Sequence, residues 1–292
     1  MRILVVTSCT GDKVVDHEDK LTLEDFRKGP EHVAQREAEL AEWIRPAEAM
    51  YSGMQHARLM RGVKAFREQL GTSVDLELRI VSAGYGAVMP DHMLAPYEAT
   101  FIGMKKAELR EWANLLGLPM GIRQILQEPY DLGLVLLGED YIQACALDDR
   151  LELGGPTLLF CGKETARKLP KLDQLRIVLL RTGDAKRFSC GMVGLKGEVA
   201  ARLLEGIAAE PERLRQLAEP TADVLAIADS PARERTPAVS GRKGVPAAKA
   251  VPNPLVKRVI QLPDPWRNRP RRRELRYFIP EWDDQVDPDF DF

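Results

Sequence analysis

The sequence predicts an α/β fold: a doubly wound, mainly parallel sheet with flanking helices, then a flexible basic linker and a short C-terminal tail. Three observations predict it. Five short apolar runs lack the strict polar alternation of half-exposed strands, as strands covered on both faces do. Segments of helical period separate most of them at the spacing of βαβ units. Beyond about residue 219 the periodicity stops, and Pro, Ala, Arg, Lys and Ser dominate.

Taken in order, residues 3–7 are the first apolar run. A helical pattern covers 31–44, and Pro46 suits the first turn of the next helix, 47–70. Residues 76–82 read as the second strand, 105–115 as a helix, 132–137 as the third strand and 141–147 as a helix. Strands over 157–161 and 176–181 and a helix over 195–208 complete a domain spanning 1–218. Residues 219–254 read as a linker, and 255–292 as a basic, then acidic and aromatic, C-terminal segment. The pattern does not specify strand order, and no internal repeat is present.

At 45% hydrophobic and 29% charged residues, the 292-residue chain has the mix of a soluble globular protein. No apolar run approaches the ~20 residues of a membrane helix. The opening, MRILVVTSCTGDK, reads as a buried strand and not as a signal peptide. Four scattered cysteines (9, 145, 161, 190) without CxxC spacing argue for reduced thiols in a cytoplasmic chain. Secretion, membrane spanning and structural zinc are thereby set aside. The net charge of -2 hides segregation: 230–276 holds 13 Lys and Arg against three acids, whereas 277–292 holds six acids and no base. Such basic density suits a phosphate backbone, although a solvated linker is the plainer reading of a charge run alone.

Ligands of open α/β sheets bind outside the carboxyl ends of the strands. Five polar, glycine-containing exits fall there: 8–13, 82–86, 138–141, 161–165 and 182–186. Ser8, Thr10 and Lys13 leave the first strand, and Lys13 and Thr10 are suited to phosphate, with a solvated loop lysine as the alternative for Lys13. No Walker or GxGxxG spacing is present, so no nucleotide cofactor is implied. The segment SAGYGAVMPDHMLAPY is the most unusual. Ser82, Gly84, Tyr85 and Gly86 set an aromatic ring between two glycines that would let the backbone approach a ligand. Asp91, His92, Tyr97 and Glu98 follow. Aromatics beside carboxylates fit a pocket that stacks a planar base and acts on a nearby bond. Ordinary packing is the alternative for Tyr85 and Tyr97, and a surface or capping role is the preferred reading of His92. Tyr51, Ser52 and Gln55 lie near a helix start with hydroxyls and an amide able to face the rim. The four histidines show no HxxxH or HExxH pairing, so no metal is expected.

These residues carry a resemblance. TSCTGDK, MYSGMQH, VSAGYG, PYEATF and LLGEDY together resemble the YaaA-like domain family over most of 1–200, a family of stress response and nucleic-acid maintenance. Gly84 departs from the SAKYGLL-like pattern, in which a lysine would stand. The tail RYFIPEWDDQVDPDFDF is similar to the amino-terminal signature of DpdA-type tRNA-guanine transglycosylase-like proteins, but the barrel that follows in those proteins is absent. The chain also resembles anti-phage DNA glycosylases that excise glucosylated cytosine derivatives. The resemblance implies hydrolysis of an N-glycosidic bond in phage DNA carrying modified bases, leaving an abasic site, with no metal or cofactor. Tyr85, Tyr97, Tyr51 or Tyr141 would contact the base. Asp91, Glu98 or Asp140 would activate water or stabilise the oxocarbenium-like sugar, with Asp91 the first candidate and a turn-stabilising cap as its alternative. Lys13, Lys186, Arg187 and the run Arg271, Arg272 and Arg273 would hold phosphates. Two other readings stand beside this one: a non-catalytic DNA-binding module, and an accessory protein working with a separate transglycosylase-like partner.

Overall fold

β1 (Arg2–Ser8) lies inside a six-stranded sheet in the computed structural model, which describes residues 1–71 and 74–230. Around it stand β2 (Asp75–Ser82), β3 (Gly86–Val88), β4 (Leu132–Leu136), β5 (Thr157–Cys161) and β6 (Leu175–Leu179), in the order β6-β5-β4-β1-β2-β3. Neighbours are parallel except β3, which returns antiparallel along β2. Ile3 pairs with Leu76 on one side and Leu132 on the other. Every residue of β4 and β5 is buried, which is why these runs show no alternation.

Among the described residues the helices of five or more residues are α1 (Leu23–Arg27), α2 (Pro30–Glu39), α3 (Met54–Leu70), α4 (Lys106–Leu115), α5 (Leu118–Gln127), α6 (Glu139–Cys145), α7 (Thr182–Arg187), α8 (Met192–Ala209), α9 (Arg213–Ala218) and α10 (Val224–Asp229). α3 and α8 pack together in one layer, and α4, α5 and α6 in another. The α3–α8 crossing is very close. A Cβ on Gly62 would lie 2.4 Å from Ala201 Cα, and one on Gly197 would lie 2.1 Å from the Gln55 carbonyl oxygen. Between these helices Glu198 is 4% exposed and bonded by Arg58, Arg61 and Arg202. Burial would raise its carboxyl, but hydrogen bonds from Arg61, Arg202 and Arg58 outweigh this and hold it down at about 2.

Several expectations are corrected. The helix expected over 47–70 breaks at 51–53 into a single turn, Ala47–Met50, and α3. Gly53 enforces the break by seating against Thr10, where a Cβ would lie 2.6 Å from the Thr10 Cβ. The pattern over 31–44 stops as a helix at Glu39 and tightens into a 3₁₀ turn, Ala41–Trp43. α5 was not expected; Gly117, left-handed at φ +63°, precedes it, and Pro119 lies in its first turn. Residues 219–230, given to the linker, instead carry α10, whose Val224 and Ala228 are buried and whose Asp223 side chain accepts from Ala226 N at 3.0 Å.

Two insertions interleave above the sheet. Leu21–Thr22 pairs in parallel with Tyr97–Glu98, and Arg45–Pro46 pairs antiparallel with Met93–Leu94. The chain after β1 is thereby fastened to the chain after β3. Among the described residues no helix is long and apolar enough to cross a membrane.

Candidate functional site at the carboxyl rim of the sheet

From β1 the chain crosses to β2 on one side, whereas from β4 it proceeds to β5 on the other. The crevice between the exits of β1 and β4 is therefore the topological switch point, where open sheets bind ligands. Side chains bridge it. Cys9 Sγ and the Tyr141 hydroxyl are 3.1 Å apart, and Gln55 Nε2 donates to Thr7 Oγ1 at 3.2 Å and to the Leu136 carbonyl at 2.9 Å. Cys9 N also bonds the Val81 carbonyl at 2.8 Å, which extends the β1–β2 ladder into the exit.

Beside the crevice runs a chain of buried hydroxyls. Tyr51 and Tyr97 hydroxyls are 2.8 Å apart, and Tyr97 lies 2.8 Å from Ser82 Oγ. Ser82 Oγ accepts from the backbone N–H groups of Gly84, at 3.2 Å, and Tyr85, at 3.0 Å. With two N–H donors on its oxygen, Ser82 has its own proton left for Tyr97. Burial pushes the phenols of Tyr51, Tyr97 and Tyr141 far up, so they serve as hydrogen-bonding groups and not as acids.

Lys13 covers this chain. Its ammonium lies 4.4 Å from the centre of the Tyr97 ring, and it donates over 3.4 Å and 3.3 Å to the carbonyls of Thr10 and Gly11. Those bonds are long. Burial lowers its pKa, and the Glu98 carboxylate opposes the shift. Glu98 is exposed and pairs in register with Thr22.

The aromatic expectations need correction. Tyr51, Tyr97 and Tyr141 are 3%, 1% and 6% exposed, so none presents a free face to a base. Lys13 covers one face of Tyr97, and its ring lies edge-on to Phe26 and Tyr85. Half-buried Tyr85 is the member of this set with accessible surface. Gly84 is not a ligand approach: a Cβ there would meet Phe26 at 2.6 Å, so the ring of α1 occupies that space. Gly86 adopts φ +74° and is a glycine for that reason. Thr10 stitches the loop, donating to the Asp12 carbonyl at 2.7 Å and accepting from Gly53 N at 3.2 Å. Ser8 is buried at the end of β1, and Ser52 is exposed with its N–H on the Asp12 carbonyl at 3.1 Å.

The charged candidates separate. β3 has already turned back along β2 when it reaches Val88, opposite Ile80, so exposed Asp91 follows a strand that leads away from the rim. The group it acts on is His92, whose ring packs edge-on to Tyr85. Asp140 is half-buried in the first turn of α6 at the exit of β4 and acts on Lys168. Lys186 and Arg187 sit on α7, after β6 and three strand spacings from β1, roughly 14 Å away. Arg187 also bonds Asp229 at 2.9 Å. Arg271, Arg272 and Arg273 lie outside the described residues. Lys13 and Glu98 are the charged candidates that the fold brings together.

Sequence reasoning missed Cys9, Phe26 and Lys196. Lys196 is a cation inside the otherwise apolar stretch MVGLKG at the start of α8, and its Nζ donates to the Leu137 carbonyl where β4 ends. Burial draws its amine down to about 8, against a smaller opposing effect of Cys161. An isolated cation flanked by glycines on an apolar helix was the available signal. Among the described residues no group of three or more His, Cys, Asp and Glu is placed to hold a metal ion. Two surface hollows, one between α9 and α10 beside Arg213 and one beside Phe66 and Asp75, lie away from this rim.

No protein-family model matches the sequence, and no curated protein matches it.

Proposed function

We propose that the chain is a DNA glycosylase that hydrolyses the N-glycosidic bond of a modified, glucosylated cytosine at this rim and leaves an abasic site in phage DNA. The observation that carries the reading is Lys13 held over a chain of buried hydroxyls, with the exposed Glu98 carboxylate acting on its ammonium. The target nucleotide leaves the stack at a cost of roughly a few kcal/mol. The bond from C1′ to the base breaks, and its electron pair departs with the base. Glu98 stabilises the cationic sugar and takes a proton from the attacking water, whose oxygen joins C1′. Lys13 donates hydrogen bonds to the departing base or to a phosphate. Glu98 replaces Asp91 as the first carboxylate in this scheme because, of the candidate carboxylates, it is the one that acts on Lys13.

The test incubates the protein with DNA carrying normal, hydroxymethylated or glucosylated cytosine, then scores abasic sites with an abasic-site endonuclease. Breaks confined to glucosylated substrate are expected. Glu98→Gln should bind equally and release base ~100-fold more slowly. Absence of breaks in every substrate would refute the glycosylase reading. Salt-sensitive binding retained in that case would favour the DNA-binding module.

A further inference from the structure

We infer that Lys196 is an imine-forming lysine that gives the chain a second activity: strand cleavage at the abasic sites that the proposed glycosylase step produces. The inference rests on that reading for its substrate, and on geometry for its residue. Lys196 and Gln55 hold successive carbonyls at the end of β4: Lys196 Nζ donates to Leu137, and Gln55 Nε2 to Leu136. The amine therefore stands at the exit of β4, where Cys161 at the end of β5 acts on it.

Two glycines set it there. A Cβ on Gly197 would strike the Gln55 carbonyl at 2.1 Å, and one on Gly194 would lie 2.9 Å from Arg58. With glycine at both positions, α8 settles directly onto the first turns of α3, and its half-buried lysine reaches the rim. The apolar helix already buries Leu195 and Val199 on either side, so the one polar task of this lysine in the fold is its bond to the Leu137 carbonyl. A desolvated amine is the form that attacks carbonyls. With the amine drawn down to about 8, about a tenth is neutral near pH 7, far more than for a solvated lysine.

The chemistry balances without an added oxidant or reductant. The amine adds to C1′ of the open-chain aldehyde, water leaves, and an imine forms. Loss of a C2′ proton to water expels the 3′ phosphate with the electron pair of the C3′–O bond. Water then hydrolyses the imine, returning the amine and releasing the unsaturated sugar end.

The experiment uses the full chain and DNA in which an abasic site has been made beforehand by removing a uracil, with borohydride present to reduce any imine to a stable amine. Base release plays no part in this assay, so it can succeed or fail independently of the glycosylase test. The expected result is a covalent protein–DNA adduct whose linked peptide contains Lys196. Lys196→Ala and Lys196→Met should lower its yield at least tenfold. No adduct from the wild-type chain, or an adduct mapped to another lysine, overturns the inference. Mapping on the wild-type protein gives that answer even if a variant fails to fold.

Discussion

Replacing Lys196 by Met should stabilise the protein near neutral pH, and the gain should fade as the solution becomes alkaline. In the folded chain burial draws the amine from 10.5 to about 8. At 1.36 kcal/mol per tenfold change this corresponds to about 3 kcal/mol against folding. Half-burial and solvent screening reduce that to about 2 kcal/mol. Met fills similar volume without the charge but leaves the Leu137 carbonyl without its donor, at about 1 kcal/mol. The net expectation is a gain of about 1 kcal/mol at pH 7. The sign with pH follows from proton counting. Below about 8 both folded and unfolded lysine are protonated, and the full cost is present. Between about 8 and 10.5 the unfolded chain binds the additional proton, so wild-type stability rises relative to the variant. Urea unfolding of both proteins at about pH 7 and about pH 9.5 measures the difference, which should shift toward wild type by about 1–2 kcal/mol. An unchanged difference at the two pH values would refute the reasoning, since it would mean that the amine is solvated in the folded chain.

Two further outcomes bear on the fold and the site. Gly197→Ala should cost several kcal/mol in thermal or urea unfolding, because its Cβ meets backbone 2.1 Å away, whereas Gly11→Ala, with nothing within 4 Å, should be nearly neutral. Tyr97→Phe removes the hydroxyl between Tyr51 and Ser82 and should lower stability by about 1–3 kcal/mol; base release should fall with it if the hydroxyl chain orients Tyr51.

The sheet was legible because buried parallel strands write themselves as continuous apolar runs: the run expected over 157–161 is β5, and β1, β2 and β4 differ by a residue at one or both ends. β3 was not legible, since three residues on an edge carry no period. The break before α3 depends on Gly53 meeting Thr10, a contact 43 residues apart that no local window contains. At the site, the segments were found and several roles were not. Sequence gives an aromatic residue at 97 but not whether water reaches its ring. That depends on Phe26, from the other insertion, closing over it. Asp91 and Glu98 look alike in sequence; the return of β3 along β2 and the pairing of Glu98 with Thr22 separate them.

The ring of Phe26 against Gly84 has a consequence for divergence among related chains. The space that a side chain at 84 would need is filled from 58 positions upstream, with Phe26 Cζ 2.6 Å from the missing Cβ. Neither residue can drift alone. A side chain at 84 would require the ring of residue 26 to move or shrink. The two positions should therefore covary as a pair, small with large. The charge of this side of the rim would then be inherited through a residue that never touches a ligand.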